Sequence, residues 1–134
     1  MATVRLLSDD QAPSDSRAVF DAIRQARQTV YVNNFWRALA HDPALLRATW
    51  ERASTVMAPG ALDPLVKELI YLAVSTANGC AYCVHSHTAA ARAKGMTPEQ
   101  HAELLAVIAM ASQTNALATA LGVPVDAAFQ EDRP

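Results

Sequence analysis

The sequence predicts an all-α protein, and three observations carry that reading. Alanine supplies 28 of the 134 residues and glycine only four, a composition that leans towards helix. Asp42-Pro43, Asp63-Pro64 and Thr97-Pro98 each place a proline behind a good N-cap residue, while Gly60, Gly79, Gly95 and Gly122 each follow a segment with helical periodicity, where a left-handed residue ends a helix. No long run alternates with period two, and no glycine-rich phosphate loop follows a strand.

The elements can be placed in order from apolar spacing. Residues 15–29 carry Val19, Phe20, Ile23 and Ala26 on one face, and a short helix at about 33–41 holds Phe35, Trp36 and Leu39. Residues 43–58 set Leu46, Trp50, Ala53 and Met57 at helical spacing; Trp36 and Trp50 read as core. Residues 64–78 contain Leu65, Leu69, Leu72, Val74 and Ala77, and residues 80–94 hold both cysteines. The last helix, 98–121, opens on Thr97-Pro98-Glu99-Gln100, which has the form of a capping box, and a bend is expected near Ser112–Asn115.

An apolar share of 51% against 18% charged suits a globular chain, read here as a single domain over 1–134 with its core at about 33–121. A net charge of −2 argues against electrostatic binding of nucleic acid. Uninterrupted apolar runs such as Leu104–Ala111 are too short for a bilayer, and Met1–Asp15 has no leader-length apolar stretch, so the expected location is the cytoplasm, where thiols rest reduced. Ile70–Val74 and Leu104–Met110 are apolar on more than one face. Helices of that kind need cover in so small a domain, and a homo-oligomer supplies it.

The chemistry is concentrated in Asn78-Gly79-Cys80-Ala81-Tyr82-Cys83-Val84-His85-Ser86-His87. Cys80 falls at a helix start, where free amides and the dipole favour a thiolate. Positions 80, 83 and 87 share one helix face, and cysteines three apart lie within reach of a disulfide. His87 is one turn from Cys83 and is placed to act on its thiol. If the Asn78-Gly79 turn is tight, the preceding helix runs antiparallel, and at 1.5 Å per residue Glu68 comes level with His87. A carboxylate, an imidazole and two thiols then form a candidate proton relay.

Other readings fit the same residues. A purely structural staple would contribute under about 2 kcal/mol for so short a loop. Cys80, Cys83, His87 and Glu68 have the ligand types of a zinc site, although structural zinc cysteines usually sit on turns and no second Cys/His pair exists. Glu68 with His87 could also serve as acid and base in a decarboxylase or lactone-processing enzyme. By helical phase His85 points away from the pair, Tyr82 reads as a packing residue, and His41 and His101 carry no motif.

Glu68, eleven residues, Cys80-x-x-Cys83, three residues and His87 resemble the signature of the AhpD-like alkylhydroperoxidases within the carboxymuconolactone decarboxylase superfamily. His87-Thr88 and Ala93-Lys94-Gly95-Met96-Thr97-Pro98-Glu99 are similar to that family's helix ending and restart. Asn34-Phe35-Trp36-Arg37-Ala38-Leu39-Ala40-His41-Asp42-Pro43 is similar to an upstream element of the same family. The resemblance covers about residues 33–110. It implies an AhpD-like helical bundle with one helical unit per chain, assembled as trimers or hexamers.

The resemblance further implies a thiol peroxidase or disulfide reductase in which Cys83 attacks a hydroperoxide and becomes a sulfenic acid. Cys80 then resolves it to a disulfide, and Glu68 and His87 relay protons. A lipoyl or thioredoxin-like dithiol donor would restore the pair, so neither cofactor nor metal is expected. Helix-dipole reasoning favours Cys80 as the attacking thiol; the His87 spacing and the family favour Cys83, which is adopted. Tyr82 stands where the founding peroxidase has a histidine, which implies weak turnover. The lactone decarboxylases lack the cysteine pair, which counts against decarboxylation here.

Overall fold

The computed structural model describes residues 1–130, and every regular element in that range is helical. Six α-helices follow in order: α1 Ser14–Arg27, α2 Asn34–Leu39, α3 Pro43–Met57, α4 Pro64–Ala77, α5 Ala81–Ala93 and α6 Pro98–Leu121; a 3₁₀ turn, Ala127–Phe129, comes last. The start signals act as expected. Asp42 accepts from the Leu45 amide, Asp63 from the Leu65 amide, and Thr97 and Gln100 form a reciprocal capping box.

Stops divide into two kinds. Gly79 and Gly95 take positive φ, +68° and +92°, and both close Schellman motifs. In the first, the Cys80 amide donates to the Ser75 carbonyl and the Gly79 amide to that of Thr76; in the second, Met96 donates to Ala91 and Gly95 to Arg92. Gly60 does not belong with them. Helix α3 ends at an extended Ala58 (ψ 154°), because the ring of Pro59 forces the residue before it out of the helical region. Helix α1 ends without glycine, on Gln28 at φ +49°.

Two compact units divide the chain, Met1–Ala58 and Pro59 onward. In the first, α1 and α2 pack on α3 around Val19, Phe20, Ile23, Val32, Trp36 and Leu46. Trp36 meets the half-buried Trp50 edge to face at 5.5 Å, in keeping with the expected core role of both. Ala26, expected on the buried face of α1, is exposed, as is Ala77 of α4. The segment before α1 is tied down by Asp9, which pairs with Arg24 at 2.6 Å and Arg37 at 3.1 Å, and by His41, whose Nε2 lies 2.7 Å from the Arg5 carbonyl oxygen.

In the second unit α4 packs mainly on α5 and more lightly on α6, around Leu72, Ala91 and Met96, with Leu65, Leu69, Val84 and Leu104 against them. This core is small because much apolar surface faces outward. No residue of α6 is buried, and Val74, Val107 and Leu121 are 54%, 65% and 74% exposed. The helix also runs unbroken through Ser112–Asn115, where Thr114 Oγ1 donates to the Met110 carbonyl. At 24 residues, α6 is long and apolar enough to cross a membrane by length and composition. The apolar runs looked too short because scattered Ser, Thr, Asn and Gln interrupt them without interrupting the helix.

Candidate functional site

The site grows from the α4–α5 turn. The Schellman motif at Gly79 reverses the chain and leaves Cys80 as the N-cap of α5, with its Sγ accepting from the Cys83 amide at 3.2 Å. One helical turn separates the two cysteines (Cα–Cα 5.3 Å), and they are joined as a disulfide. The N-cap geometry holds the sulfurs within bonding range, as cysteines three apart allow. Both residues are half-buried rather than sealed in the core, so their bond is open to exchange.

Eight residues beyond the turn on α5, His87 meets Glu68 from α4. Nδ1 lies 2.6 Å from Glu68 Oε2, as the level expected of an antiparallel pair requires. Glu68 is 4% exposed. Burial alone would raise its pKa. The hydrogen bonds from His87 and Lys94, with the positive charge of Lys94, outweigh burial and hold the carboxyl below its ordinary value. As a carboxylate Glu68 can only accept, so His87 Nδ1 is the donor and Nε2 is the nitrogen left to take a proton.

Two residues of this arrangement escaped the sequence reading. Lys94, at the C-cap of α5, places Nζ 2.9 Å from Glu68 Oε1. Its signal was spacing: 87 and 94 are two turns apart on one face, but a lysine before a helix-ending glycine reads first as a dipole-complementing cation. Tyr71, three residues after Glu68 on α4, stacks on the His87 ring with centroids 3.6 Å apart and planes at 18°. The structure therefore brings Glu68 of α4 to His87 and Cys80 to Cys83, with His87 on the same helix as the cysteine pair. His85 is exposed, and Tyr82, expected to pack, is 44% exposed, since its position faces out from α5. Among the described residues no three His, Cys, Asp or Glu side chains form a group that could hold a metal ion, so the four ligands of the zinc reading are not assembled.

Residues 43–126 match the model of the Carboxymuconolactone decarboxylase family. The chain is 35% identical to the alkyl hydroperoxide reductase AhpD of Solibacter usitatus over 115 residues, which is 84% of this chain and 63% of that one. It is 45% identical to the protein of the same name from Mycobacteroides abscessus over 69 residues, 51% of this chain and 39% of the other. Against those relatives it thus spans less than two thirds of their length. The crystal structure of the alkylhydroperoxidase AhpD core from Rhodospirillum rubrum superposes with a TM-score of 0.95 at 64% identity, covering 98% of this chain and 99% of that one.

Proposed function

The chain belongs to the AhpD-like branch of the carboxymuconolactone decarboxylase family, and from that membership we propose that it is a thiol-dependent peroxidase or disulfide reductase working through Glu68, Cys80, Cys83 and His87. The observation that carries this reading is the N-cap disulfide Cys80–Cys83 on the same helix as an imidazole hydrogen-bonded to a buried carboxylate.

In the proposed cycle His87 Nε2 takes the proton of the reduced Cys83 thiol, and the thiolate attacks the outer oxygen of a hydroperoxide. The O–O bond breaks, the alcohol leaves with the proton returned through the relay, and Cys83 is left as a sulfenic acid. Cys80, stabilised as a thiolate by the Cys83 amide and the helix N-terminus, attacks that sulfur; the displaced hydroxide takes up the proton that the Cys80 thiol gave up and leaves as water, and the disulfide forms. A dithiol donor, lipoyl or thioredoxin-like, then returns two electrons by exchange. No part of this cycle needs a cofactor. A cytoplasmic homo-oligomer, trimer or hexamer, belongs to the same reading, and the open apolar faces of α4 and α6 support it.

The test is a thiol count. Reduced protein treated with one equivalent of cumene hydroperoxide is expected to lose both thiols together, and Cys83→Ser to give a different product from Cys80→Ser. Survival of both thiols, while a control peroxidase reacts, overturns the peroxidase reading. Activity towards a lactone that persists with both cysteines changed to serine would favour the acid–base reading of Glu68 and His87 instead.

A further inference from the structure

Glu68 uses its two oxygens on two different bases. Oε2 meets His87 Nδ1 at 2.6 Å, and Oε1 meets Lys94 Nζ at 2.9 Å. The Glu68 side chain is 5% exposed and that of Lys94 38%, so the ammonium reaches the carboxylate from the solvent side. A carboxyl group this buried, with only an imidazole as partner, can shed its charge in two ways. It can take a proton itself and donate it to Nδ1, which moves the ring's hydrogen to Nε2. Otherwise it can draw a second proton onto the ring, leaving hydrogens on both nitrogens. Either way Nε2 is no longer an acceptor.

We propose that Lys94 is a positioning residue of this site: by balancing Glu68 from its far oxygen, it keeps His87 neutral, with hydrogen on Nδ1 and none on Nε2. Among the described residues the groups that act on Glu68 are His87, on α5, and Lys94, at the C-cap of α5. Tyr71 of α4 covers one face of the ring, and α6 brings the apolar Leu104 to the shared core. Lys94 is thus the cation that offsets the buried carboxylate, and the length of α5 decides the match, since two turns separate it from His87. Its functional meaning rests on the relay proposed above, but the protonation state of His87 is measured without any turnover.

The experiment is long-range ¹H–¹⁵N NMR of the imidazoles in the full oxidised chain, titrated through the neutral range. It compares wild type, Lys94→Met and Lys94→Arg, with His87→Gln to assign the signal. Wild type and Lys94→Arg are expected to show the Nδ1–H form at neutral pH. Lys94→Met should raise the His87 midpoint by about one pH unit or more, or convert the ring to the Nε2–H form. Should Lys94→Met not fold, Lys94→Gln, which keeps a donor without the charge, carries the same expectation. A neutral variant with unchanged tautomer and a midpoint within about 0.3 unit of wild type overturns the proposal. In cumene hydroperoxide oxidation, the acid limb of the rate profile should move up by the same amount in Lys94→Met and stay in place in Lys94→Arg. A wild-type protein inert to peroxide would refute the proposed peroxidase and leave the NMR comparison to decide the role of Lys94.

Discussion

Changing Glu68 to Gln removes a buried charge while nearly preserving shape. Glutamine offers one acceptor oxygen where Glu68 offers two, so of the charge-assisted hydrogen bonds from His87 at 2.6 Å and Lys94 at 2.9 Å only one persists, to a neutral acceptor. Hydrogen bonds to charged groups contribute about 1.5–3 kcal/mol each. The Lys94 bond must be discounted, because its 38%-exposed side chain can return to water. Since a neutral hydrogen bond to His87 still contributes about 0.5–1.5 kcal/mol, a net loss of about 1–2 kcal/mol at pH 7 follows, mostly from the His87 side. The sign with pH is also fixed. The Glu68 pKa is lowered in the fold, since the two bonds outweigh burial, so its contribution is complete above the unfolded value of about 4.3 and is lost as pH falls through the folded one. Urea unfolding of the oxidised protein, at one protein concentration between pH 7 and 3, reads this directly. The gap between wild type and Glu68→Gln should be full at pH 7 and begin to narrow only as pH falls below the unfolded carboxylate value of about 4.3. A variant within about 0.5 kcal/mol of wild type at pH 7, or a gap that ignores acid, would refute the reasoning.

Gly79→Ala should cost about 1 kcal/mol in the same assay, because φ is +68° but nothing lies within 4 Å of the added Cβ, so only the left-handed backbone is penalised. A loss of several kcal/mol would show instead that the added methyl clashes at the turn. The proposed homo-oligomer is tested by sedimentation velocity: Val107→Glu, on a residue 65% exposed in the single chain, should shift the protein to monomer. A wild type that already sediments as monomer would end that proposal.

Much of the fold was legible because its signals are local. The prolines after Asp42, Asp63 and Thr97 mark helix starts since an N1 residue has no amide to place, and each of those helices begins where the sequence indicates. Gly60 misled, because the same position carries a second signal: Pro59 already stops α3. Glu68 and His87 could be paired in advance, since a tight turn and a fixed rise make two antiparallel helices a ruler. Lys94 and Tyr71 could not be chosen in that way. A lysine at a helix end and a tyrosine on an apolar helix each have a common structural explanation, and only packing shows which one meets Glu68 or His87.

The chain's own order of residues determined six helices, their caps, the Cys80–Cys83 spacing and the level at which Glu68 faces His87, because capping, periodicity and rise act over a few residues. Tertiary structure decided what surrounds those groups: that Glu68 is buried yet ionised, that Lys94 balances it, that Tyr71 covers the imidazole, and that α6 is left uncovered within the single chain. Burial and charge balance depend on every element that packs against a side chain, and no span of sequence around that side chain contains them.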